Sequence, residues 1–360
     1  MAAYSLPKRL LHWYAVAAAA SVLLLICSGG LVTSHEAGMA VPDWPNSFGY
    51  NMFLFPVSRW VGGVFFEHTH RLVASGVGLV TIALCVALFV IEDRRWVKTL
   101  GIIAVAAVVV QGVLGGLRVA ENNPLLGLFH GCLAQSFFAL MATIALVTSK
   151  FWRDLERART AGTETINHES PITNHLSLLT SQRWVLAVTA MVFVQLVLGA
   201  SMRHSHAGLS ITDFPTSYGH LFPPLDNSTI EQINQQRGAA SQPYTSAALI
   251  LLQYVHRVWA VLIVVGLVFT AIRLLRSQLS LFFRRCATGW ILLVVVQFCL
   301  GAWTVLSNKA ADIATAHVLF GALTLMLGVL LAVGLSGLLH YSPNGLSHSG
   351  LPRSIGLGTV

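Results

Sequence analysis

Charged residues are scarce in this chain of 360 residues. Lysine, arginine, aspartate and glutamate together make up 10% of it, whereas hydrophobic residues make up 55%. An ordinary soluble domain carries roughly 25% charged residues, so this composition excludes one. Acidic residues are the scarcer sign, and the formal net charge is +8. The uneven distribution of lysine and arginine between the loops accounts for this excess of positive charge, and nucleic acid is not expected as a partner.

Cysteine is also scarce. All five cysteines lie in or beside apolar runs, at Cys27, Cys85, Cys132, Cys286 and Cys299. No two of them share a loop on the external side, which argues against a disulfide. Buried free thiols are favoured instead.

Long apolar runs are what the chain has in abundance. Eight of them reach the roughly 20 residues that a helix needs to cross a bilayer, and helices satisfy the backbone hydrogen bonds that lipid cannot. The first run lacks a small-x-small cleavage site and is interpreted as a retained helix rather than a signal peptide. The predicted spans are 11–33, 64–91, 98–119, 126–149, 183–203, 246–275, 285–306 and 313–339.

Lysine and arginine are distributed unevenly between the two sets of loops. One set, together with both termini, holds fifteen of them, and the opposite set holds five. The positive-inside rule then predicts that both termini are cytoplasmic. The expected location is a bacterial-type inner membrane or its equivalent.

Four histidines interrupt the apolar runs and form two repeated pairs. His70 and His130 recur as His256 and His317, at shifts of 186 and 187 residues. Each lies early in a span that runs from outside to inside, so the four side chains are expected in the outer half of the membrane. Imidazoles at this depth are costly and commonly functional.

The repeat extends beyond the histidines. The segment from Asp43 to Gly49 matches the segment from Asp213 to Gly219 at a shift of 170. The expected fold is all-α and integral to the membrane, with eight transmembrane helices in two pseudo-symmetric four-helix bundles. The expected regions are a first half at 1–150, a polar cytoplasmic linker at 151–182, a second half at 183–340 and a disordered tail at 341–360.

Two further features each allow two interpretations. The long external segments 34–63 and 204–245 are either ordered lids over the helix ends or simple connectors. Four pairs of small residues serve either ordinary helix packing or the close approach of a flat macrocycle. These pairs are Gly29-Gly30, Gly115-Gly116, Gly199-Ala200 and Gly301-Ala302.

The histidine pairs favour haem over a bare metal ion. Two imidazoles from two helices can hold a haem iron from both faces, whereas zinc or copper needs three or more nearby protein ligands. Arg71 and Arg257 each follow a candidate ligand directly. Haem propionates would supply the partner that a charge at this depth needs. The alternative is that these arginines snorkel to the interface or pair with a loop aspartate.

The two halves differ at one chemically important position. Glu67 and Gln253 each stand three residues before a candidate ligand, on the same helix face. A carboxyl group can exchange protons, as oxygen chemistry requires, and an amide cannot. The first half is therefore predicted to be the reactive site and the second a stable electron carrier. The alternative is that Glu67 only pairs with Arg71.

Together these residues resemble the haem A synthase family, over nearly the whole of 10–340. The motifs are Glu-x-x-His-Arg at 67–71, Gln-x-x-His-Arg at 253–257, the single histidines at 130 and 317, and Gly-Leu-Ser-Ile-Thr-Asp-Phe-Pro at 208–215. The resemblance implies that haem O is converted to haem A during cytochrome oxidase assembly, through successive hydroxylations of the C8 methyl and loss of water.

The resemblance also implies roles for individual residues. Haem b would be held by His256 and His317, haem O would be received at His70 and His130, and Glu67 would match the family's carboxylate. Candidate partners are haem O synthase, other assembly factors and an electron donor. Many bacterial relatives carry a cysteine pair in the first external loop, and this chain has none there, so a redox role for such a pair does not transfer.

Two other functions fit part of the pattern. A dihaem b electron-transfer cytochrome would need no carboxyl group near either iron, so Glu67 argues against it. A transporter built from repeats would show interrupted helices and a midplane site, whereas the polar residues here cluster in the outer third. An absorption spectrum without haem bands would exclude both haem functions. Haem b without formation of haem A from haem O would favour the cytochrome.

Overall fold

The fold is helical throughout the part of the chain that the structure, a computed structural model, describes: residues 5–160, 171–277 and 279–339. Within these ranges there is no strand beyond two isolated β-bridges. The predicted tail at 341–360 and residues 161–170 of the predicted linker lie outside them. The helices are α1 Leu6–Ser34, α2 Gly63–Ile91, α3 Arg95–Ala120, α4 Pro124–Thr148, α5 Lys150–Thr160, α6 Pro171–His204, α7 Asn227–Ala239, α8 Ala247–Arg276, α9 Leu281–Leu306 and α10 Ala311–Leu339.

Eight of these helices are long and apolar enough to cross a membrane, which confirms the predicted spans. Helices α5 and α7 are too short and too polar. Large apolar side chains on the outer faces are exposed, including Leu79, Val90 and Leu292. Such a surface is unfavourable in water and ordinary in lipid. The protein is therefore an all-α, multi-pass membrane protein.

One helix boundary differs clearly from the prediction. Helix α6 begins at Pro171, whereas the apolar run suggested a start near residue 183. Hydropathy detects only the apolar part of a helix, and the first turns of α6 are polar. Proline is suited to a first helical turn because its fixed φ is helical and its missing N–H would be unpaired there in any case. Much of the predicted linker is thus helical, as α5 or as the start of α6.

The helices pack as two rings of four. In the first half α1, α2, α3 and α4 each pack on the next, and α4 returns to α1; in the second half α6, α8, α9 and α10 do the same. The halves meet where α10 packs on α1 and α4, and where α4 packs on α6. Helices α4 and α10 are accordingly the most buried spans. A two-fold axis beside α4 and α10 would produce this arrangement, and the pseudo-symmetry stays a prediction.

A buried ion-pair network at the end of the bundle away from the histidines ties α5 to the turn between α2 and α3. Glu92 accepts hydrogen bonds from Arg94 at 2.8 Å and from Arg153 at 2.7 Å, and its side chain has no exposed area. Burial raises the pKa of Glu92, but the hydrogen bond and charge of Arg94, together with Arg153, bring that pKa down to about 2. The carboxylate thus holds two guanidinium groups from separate segments.

We expect Glu92→Ala to lower the thermal midpoint of the detergent-solubilised protein. Removing one partner of a buried ion pair costs about 3–5 kcal/mol. The folded pKa is depressed, so the stabilisation is present above the ordinary value of 4.5 and is lost as the pH falls towards about 2. Asp93→Ala is the matched control, because Asp93 pairs with Lys8 and its side chain is 78% exposed, and exposed pairs contribute about 0–1 kcal/mol. Equal shifts in the two variants would contradict the prediction.

Candidate functional site

The four predicted ligand histidines lie at one end of the bundle, within the first ten residues of α2, α4, α8 and α10. His70 interacts electrostatically with His130, and His256 with His317. The structure therefore brings them together in the pairs that the repeat predicted. Two long connections lie at the same end: loop A, residues 35–62, and loop B, residues 205–246.

Each of these histidine rings lies against a glycine of a neighbouring helix. An ideal Cβ placed on the glycine would be 3.0–3.2 Å from the ring Cε1, which is tighter than ordinary van der Waals contact. Even a methyl group would therefore force the ring to move. The four contacts are Gly29 with His70, Gly115 with His130, Gly199 with His256 and Gly301 with His317.

The second residues of two small pairs have other partners. A Cβ on Gly30 would lie 2.8 Å from Thr315 Cγ2 on α10, and a Cβ on Gly116 would lie 2.3 Å from the Trp44 ring of loop A. These glycines therefore permit close packing between the halves and between α3 and loop A. Close packing, one of the two interpretations of the small pairs, is therefore observed at Gly30 and Gly116, and the approach of a macrocycle stays a prediction.

In the first half, hydrogen bonds define which ring nitrogen carries the proton. His70 Nδ1 lies 2.8 Å from Ser28 Oγ, and that hydroxyl donates to the Leu25 carbonyl at 2.9 Å. Since a hydroxyl has one proton, Ser28 accepts from His70. His130 Nδ1 lies 3.2 Å from the Gln111 carbonyl oxygen, which can only accept. Both rings therefore carry a proton on Nδ1, and in the neutral imidazole this leaves the lone pair on Nε2.

In the second half, glutamine amides face the rings. Gln195 Nε2 lies 3.2 Å from His256 Nε2, and Gln297 Nε2 lies 3.5 Å from His317 Nε2. The Nδ1 atoms of both histidines are buried and have no hydrogen-bond partner among the described residues. A buried polar atom without a partner is unusual in a folded protein, so this pair has unused bonding capacity.

Glu67 and Gln253 perform the same structural task in the two halves. The buried Glu67 carboxylate accepts from the backbone N–H of Val41 at 2.9 Å and from Arg71 Nη2 at 2.7 Å. The Gln253 side-chain oxygen accepts from the backbone N–H of Ile211 at 2.6 Å, and its amide donates to the Ile211 carbonyl at 3.1 Å. Each side chain therefore attaches a loop to the helix that carries a histidine.

Arg71 is fully engaged through its two terminal nitrogens. Nη1 donates to the carbonyls of Asp43 at 2.6 Å and Asn46 at 3.1 Å, while Nη2 donates to the carbonyl of Val41 at 2.7 Å as well as to Glu67. The ion pair with Glu67 and the contacts with loop A are thus both present. Arg71 holds three carbonyl groups of loop A in place beside the buried carboxylate.

Arg257 has the same kind of contacts with loop B. It donates to the carbonyls of Thr216 at 2.9 Å and Ile211 at 3.3 Å, and its guanidinium lies 5.6 Å from the centroid of the Phe214 ring. The propionate contacts expected for Arg71 and Arg257 stay predictions. The contacts that the structure contains are with the backbone of the loops.

The repeated Asp-x-Pro segment forms a tight turn in each loop. Asp43 accepts from the backbone N–H groups of Phe48 at 2.7 Å and Gly49 at 2.8 Å, and Asp213 accepts in the same way from Tyr218 and Gly219. Burial raises the pKa of Asp43, but these N–H groups and Arg71 bring it below its ordinary value. Both loops are therefore ordered segments attached to the histidine end, as the lid interpretation requires.

His68 belongs to the attachment of loop A. Its side chain is fully buried, Nδ1 lies 3.1 Å from Ser47 Oγ, and the ring packs against Phe55 and Trp60 at centroid distances of 5.0 and 4.7 Å. Two residues along a helix point to nearly opposite sides. His68 is accordingly separate from the His70 site.

The sequence prediction missed the side chains that support the histidine rings. Ser28, Gln111, Gln195 and Gln297 were not singled out. A signal existed: glutamine stands one turn before the ring-facing glycine in an apolar run at 111–115, 195–199 and 297–301. Leu25 occupies that position on α1, where Ser28 supports His70 instead.

Metal-binding side chains occur here in pairs. Among the described residues, no three His, Cys, Asp or Glu side chains come together as a metal site, and all five cysteines are free thiols. Two imidazoles per site suit a metal that brings most of its own ligands, as haem iron does.

Comparison with known proteins agrees with this arrangement. The family model of cytochrome oxidase assembly proteins (COX15-CtaA) matches residues 55–329. The heme A synthase of Lysinibacillus sphaericus is 25% identical over 89% of this chain and 95% of that protein. The corresponding enzymes of Halalkalibacterium halodurans and Staphylococcus haemolyticus are 26% and 27% identical, over 83% and 90% of this chain and 88% and 93% of those proteins. Since the matched segment contains all four histidines, the chain belongs to the cytochrome oxidase assembly protein family.

Proposed function

We propose that this protein is a membrane oxidoreductase that converts haem O to haem A, by oxidising the C8 methyl of the porphyrin to a formyl group through successive hydroxylations. Membership of the family and the likeness to heme A synthases support this reaction. One observation in this chain carries the proposal. Of two equivalent attachments between helix and loop, one uses a buried carboxylate beside His70, and the other uses a buried amide beside His256.

The first half is the proposed site of the substrate, haem O. His70 and His130 are both protonated at Nδ1 through Ser28 and Gln111, so each has an unprotonated Nε2. A histidine that binds a metal through one nitrogen usually donates the other N–H to a carbonyl or similar acceptor. Oxidation at the substrate iron needs an open position, so we expect one of these two histidines to be a ligand for only part of the cycle.

The second half is the proposed site of a resident haem b. The residues fit such a group, because the Nδ1 atoms of His256 and His317 are buried without partners and Gly199 and Gly301 leave no side chain between ring and helix. Iron at one nitrogen of each ring would leave an N–H donor at the other, and the side-chain oxygens of Gln195 and Gln297, which are also buried without a partner, could accept from it. When bound, haem b would carry single electrons to or from the first half.

Glu67 is the proposed proton-exchanging group. Conversion of a methyl group to a formyl group moves protons as well as electrons, and a carboxylate one helical turn from the His70 ligand can donate or accept those protons. Arg71 balances the charge of the buried carboxylate and holds it at the attachment of loop A. The Gln253 amide does not ionise and so cannot act as an acid or a base, which agrees with an electron-carrying second half.

The proposed function also includes an orientation of the protein in the membrane. We propose that both termini are cytoplasmic and that the histidine end faces the outer side of a bacterial-type inner membrane, which the distribution of lysine and arginine supports. Haem O synthase, other assembly factors of cytochrome oxidase and an electron donor remain the proposed partners.

A dihaem b electron-transfer cytochrome is the second candidate. The observation that favours it is the ion pair between Glu67 and Arg71, because it gives the carboxylate a structural reason to be present without any chemistry. The two functions are distinguished by haem A formation: a haem A synthase forms haem A and needs the Glu67 carboxylate to do so, whereas a cytochrome forms none.

We expect Glu67→Gln to retain haem b and to lower the formation of haem A by about 100-fold or more, the ordinary contribution of a proton-exchanging group. The glutamine can accept from the Val41 N–H as Gln253 does from Ile211, so loop A should stay attached. Purified protein is incubated with haem O, and the extracted haems are quantified by chromatography. An undiminished yield of haem A would remove the catalytic role from Glu67. Wild-type protein that binds haem b and makes no haem A would favour the cytochrome.

We expect His256→Ala and His317→Ala each to abolish the low-spin haem b bands in the absorption spectrum. Each variant removes one axial ligand of the proposed second-half site. His70→Ala and His130→Ala are the matched controls, since they lie in the first half and should retain those bands. Unchanged spectra in both second-half variants would refute the ligand assignment.

We expect Ser28→Ala to weaken uptake of haem O by the first half about 10- to 100-fold, the usual cost of losing a side chain that orients a metal-binding histidine. The variant leaves His70 Nδ1–H without its acceptor. Ser21→Ala is the matched control, because Ser21 lies on the same helix and donates to the Ala18 carbonyl at 2.7 Å without supporting a histidine. Equal losses in the two variants would show that Ser28 acts only through the stability of α1.

A further inference from the structure

Arg118 is a cation without a bonded partner beside the first histidine pair. It lies on α3, one turn after Gly115, whose backbone packs against His130. Within the described ranges of the chain, the Arg118 side chain makes no hydrogen bond and no ion pair. Its neighbour Arg203, by contrast, donates to the Gly30 carbonyl and to Ser34 Oγ, both at 2.7 Å.

The position of the Arg118 guanidinium is well defined by its neighbours. An ideal Cβ on Gly38 of loop A would lie 1.9 Å from Nη2, and one on Gly127 of α4 would lie 3.2 Å from Nε. Gly127 is one turn before His130, and Gly38 is three residues before Val41, which Glu67 holds. The guanidinium therefore lies between loop A and α4, one turn beyond the His130 ring.

The surroundings of Arg118 carry excess positive charge. Its electrostatic neighbours include one carboxylate, Glu67, which is already paired with Arg71. Its cationic neighbours are Arg71 and Arg203, and the imidazole rings of His70, His130 and His204 also lie near it. Arg118 is half-buried, and a cation within a membrane helix needs a partner. An anion bound beside His70 and His130 would supply one.

We propose that Arg118 binds a propionate carboxylate of the porphyrin substrate in the first half. This inference rests on the proposed function, because it takes the space beside His70 and His130 as the haem O site. A guanidinium pairs with a carboxylate through two parallel hydrogen bonds, which define orientation as well as affinity. Arg118 thereby determines how the macrocycle is rotated in its own plane, and hence which substituent comes near Glu67.

The second half has a cation in a related position. Gly208 of loop B matches Gly38 in the repeat, and an ideal Cβ there would lie 3.7 Å from Lys309 Cδ. Lys309 reaches this glycine from the turn between α9 and α10, whereas Arg118 reaches Gly38 from α3. The residue that matches Arg118 is Thr304. Each half thus has a basic side chain against its loop glycine, although the two side chains occupy different positions in the repeat.

The test compares a charged and an uncharged porphyrin. Full-length protein already loaded with one equivalent of haem b is titrated with a second equivalent of ferric haem b or of its dimethyl ester, in which both propionates are neutral. Binding is followed in the Soret band. His70→Ala should abolish uptake of the second equivalent, which assigns it to the first half.

We expect Arg118→Ala to weaken binding of the free acid about tenfold or more, the usual size of a charge-assisted hydrogen bond. Binding of the dimethyl ester should not change. Arg118→Lys keeps the charge but loses the paired donors. Its affinity for the free acid should therefore lie between those of wild type and Arg118→Ala. Arg59→Ala is the control for charge at the same end, because its guanidinium lies 5.3 Å from the centroid of the Tyr50 ring. It should leave both affinities unchanged.

Equal weakening of acid and ester by Arg118→Ala would indicate a packing role and overturn the proposal. Unchanged affinity for both ligands would overturn it as well, and so would the absence of second-equivalent uptake by wild type. If Arg118→Ala does not fold, Arg118→Lys is measured instead. An Arg118→Lys variant that prefers the free acid over the dimethyl ester as strongly as wild type does would contradict the proposal. Charge-dependent uptake without haem A formation would retain the propionate contact and reject the proposed reaction, so the two failures are distinguishable.

Discussion

The attachment of each loop to a histidine-bearing helix is the interaction on which the rest of the site depends. Glu67 accepts a backbone N–H from loop A and Gln253 one from loop B, and the arginine four residues later binds backbone carbonyls of the same loop. Unpaired backbone groups are costly away from water, so the loops cannot leave the helices without a large loss. The attachment of loop A also places Gly38 against the Arg118 guanidinium. The positive charge of Arg118 thereby becomes part of the candidate site.

Glu67 and Gln253 attach their loops in the same way, although only Glu67 is ionisable. Since Gln253 does so as a neutral amide, attachment of a loop does not by itself require the negative charge of Glu67. The two halves differ further in how their rings are supported. Ser28 and the Gln111 carbonyl accept from Nδ1 in the first half, whereas Gln195 and Gln297 face Nε2 in the second. One fold thus contains two unlike sites, as a reactive centre with a separate electron carrier would require.

Much of the architecture could be predicted because a bilayer constrains a chain strongly. A span must be apolar and about 20 residues long, so the eight helices were detectable one at a time, and the repeat then paired the histidines. The start of α6 was misjudged because its first turns are polar and hydropathy does not register them. Ser28 and the three glutamines were missed because their importance comes from a ring on another helix.

The sequence by itself determined the membrane class, the eight spans, the pairing of His70 with His130 and of His256 with His317, and the contrast between Glu67 and Gln253. These follow from local composition, helical periodicity and internal repetition. The tertiary structure alone decided which atoms meet: Arg71 with the carbonyls of loop A, Ser28 with His70, and Arg118 with Gly38 but with no acceptor. Such contacts join residues that are tens of positions apart. Hydrogen bonds and charges depend on distances of a few ångströms, which no local pattern encodes.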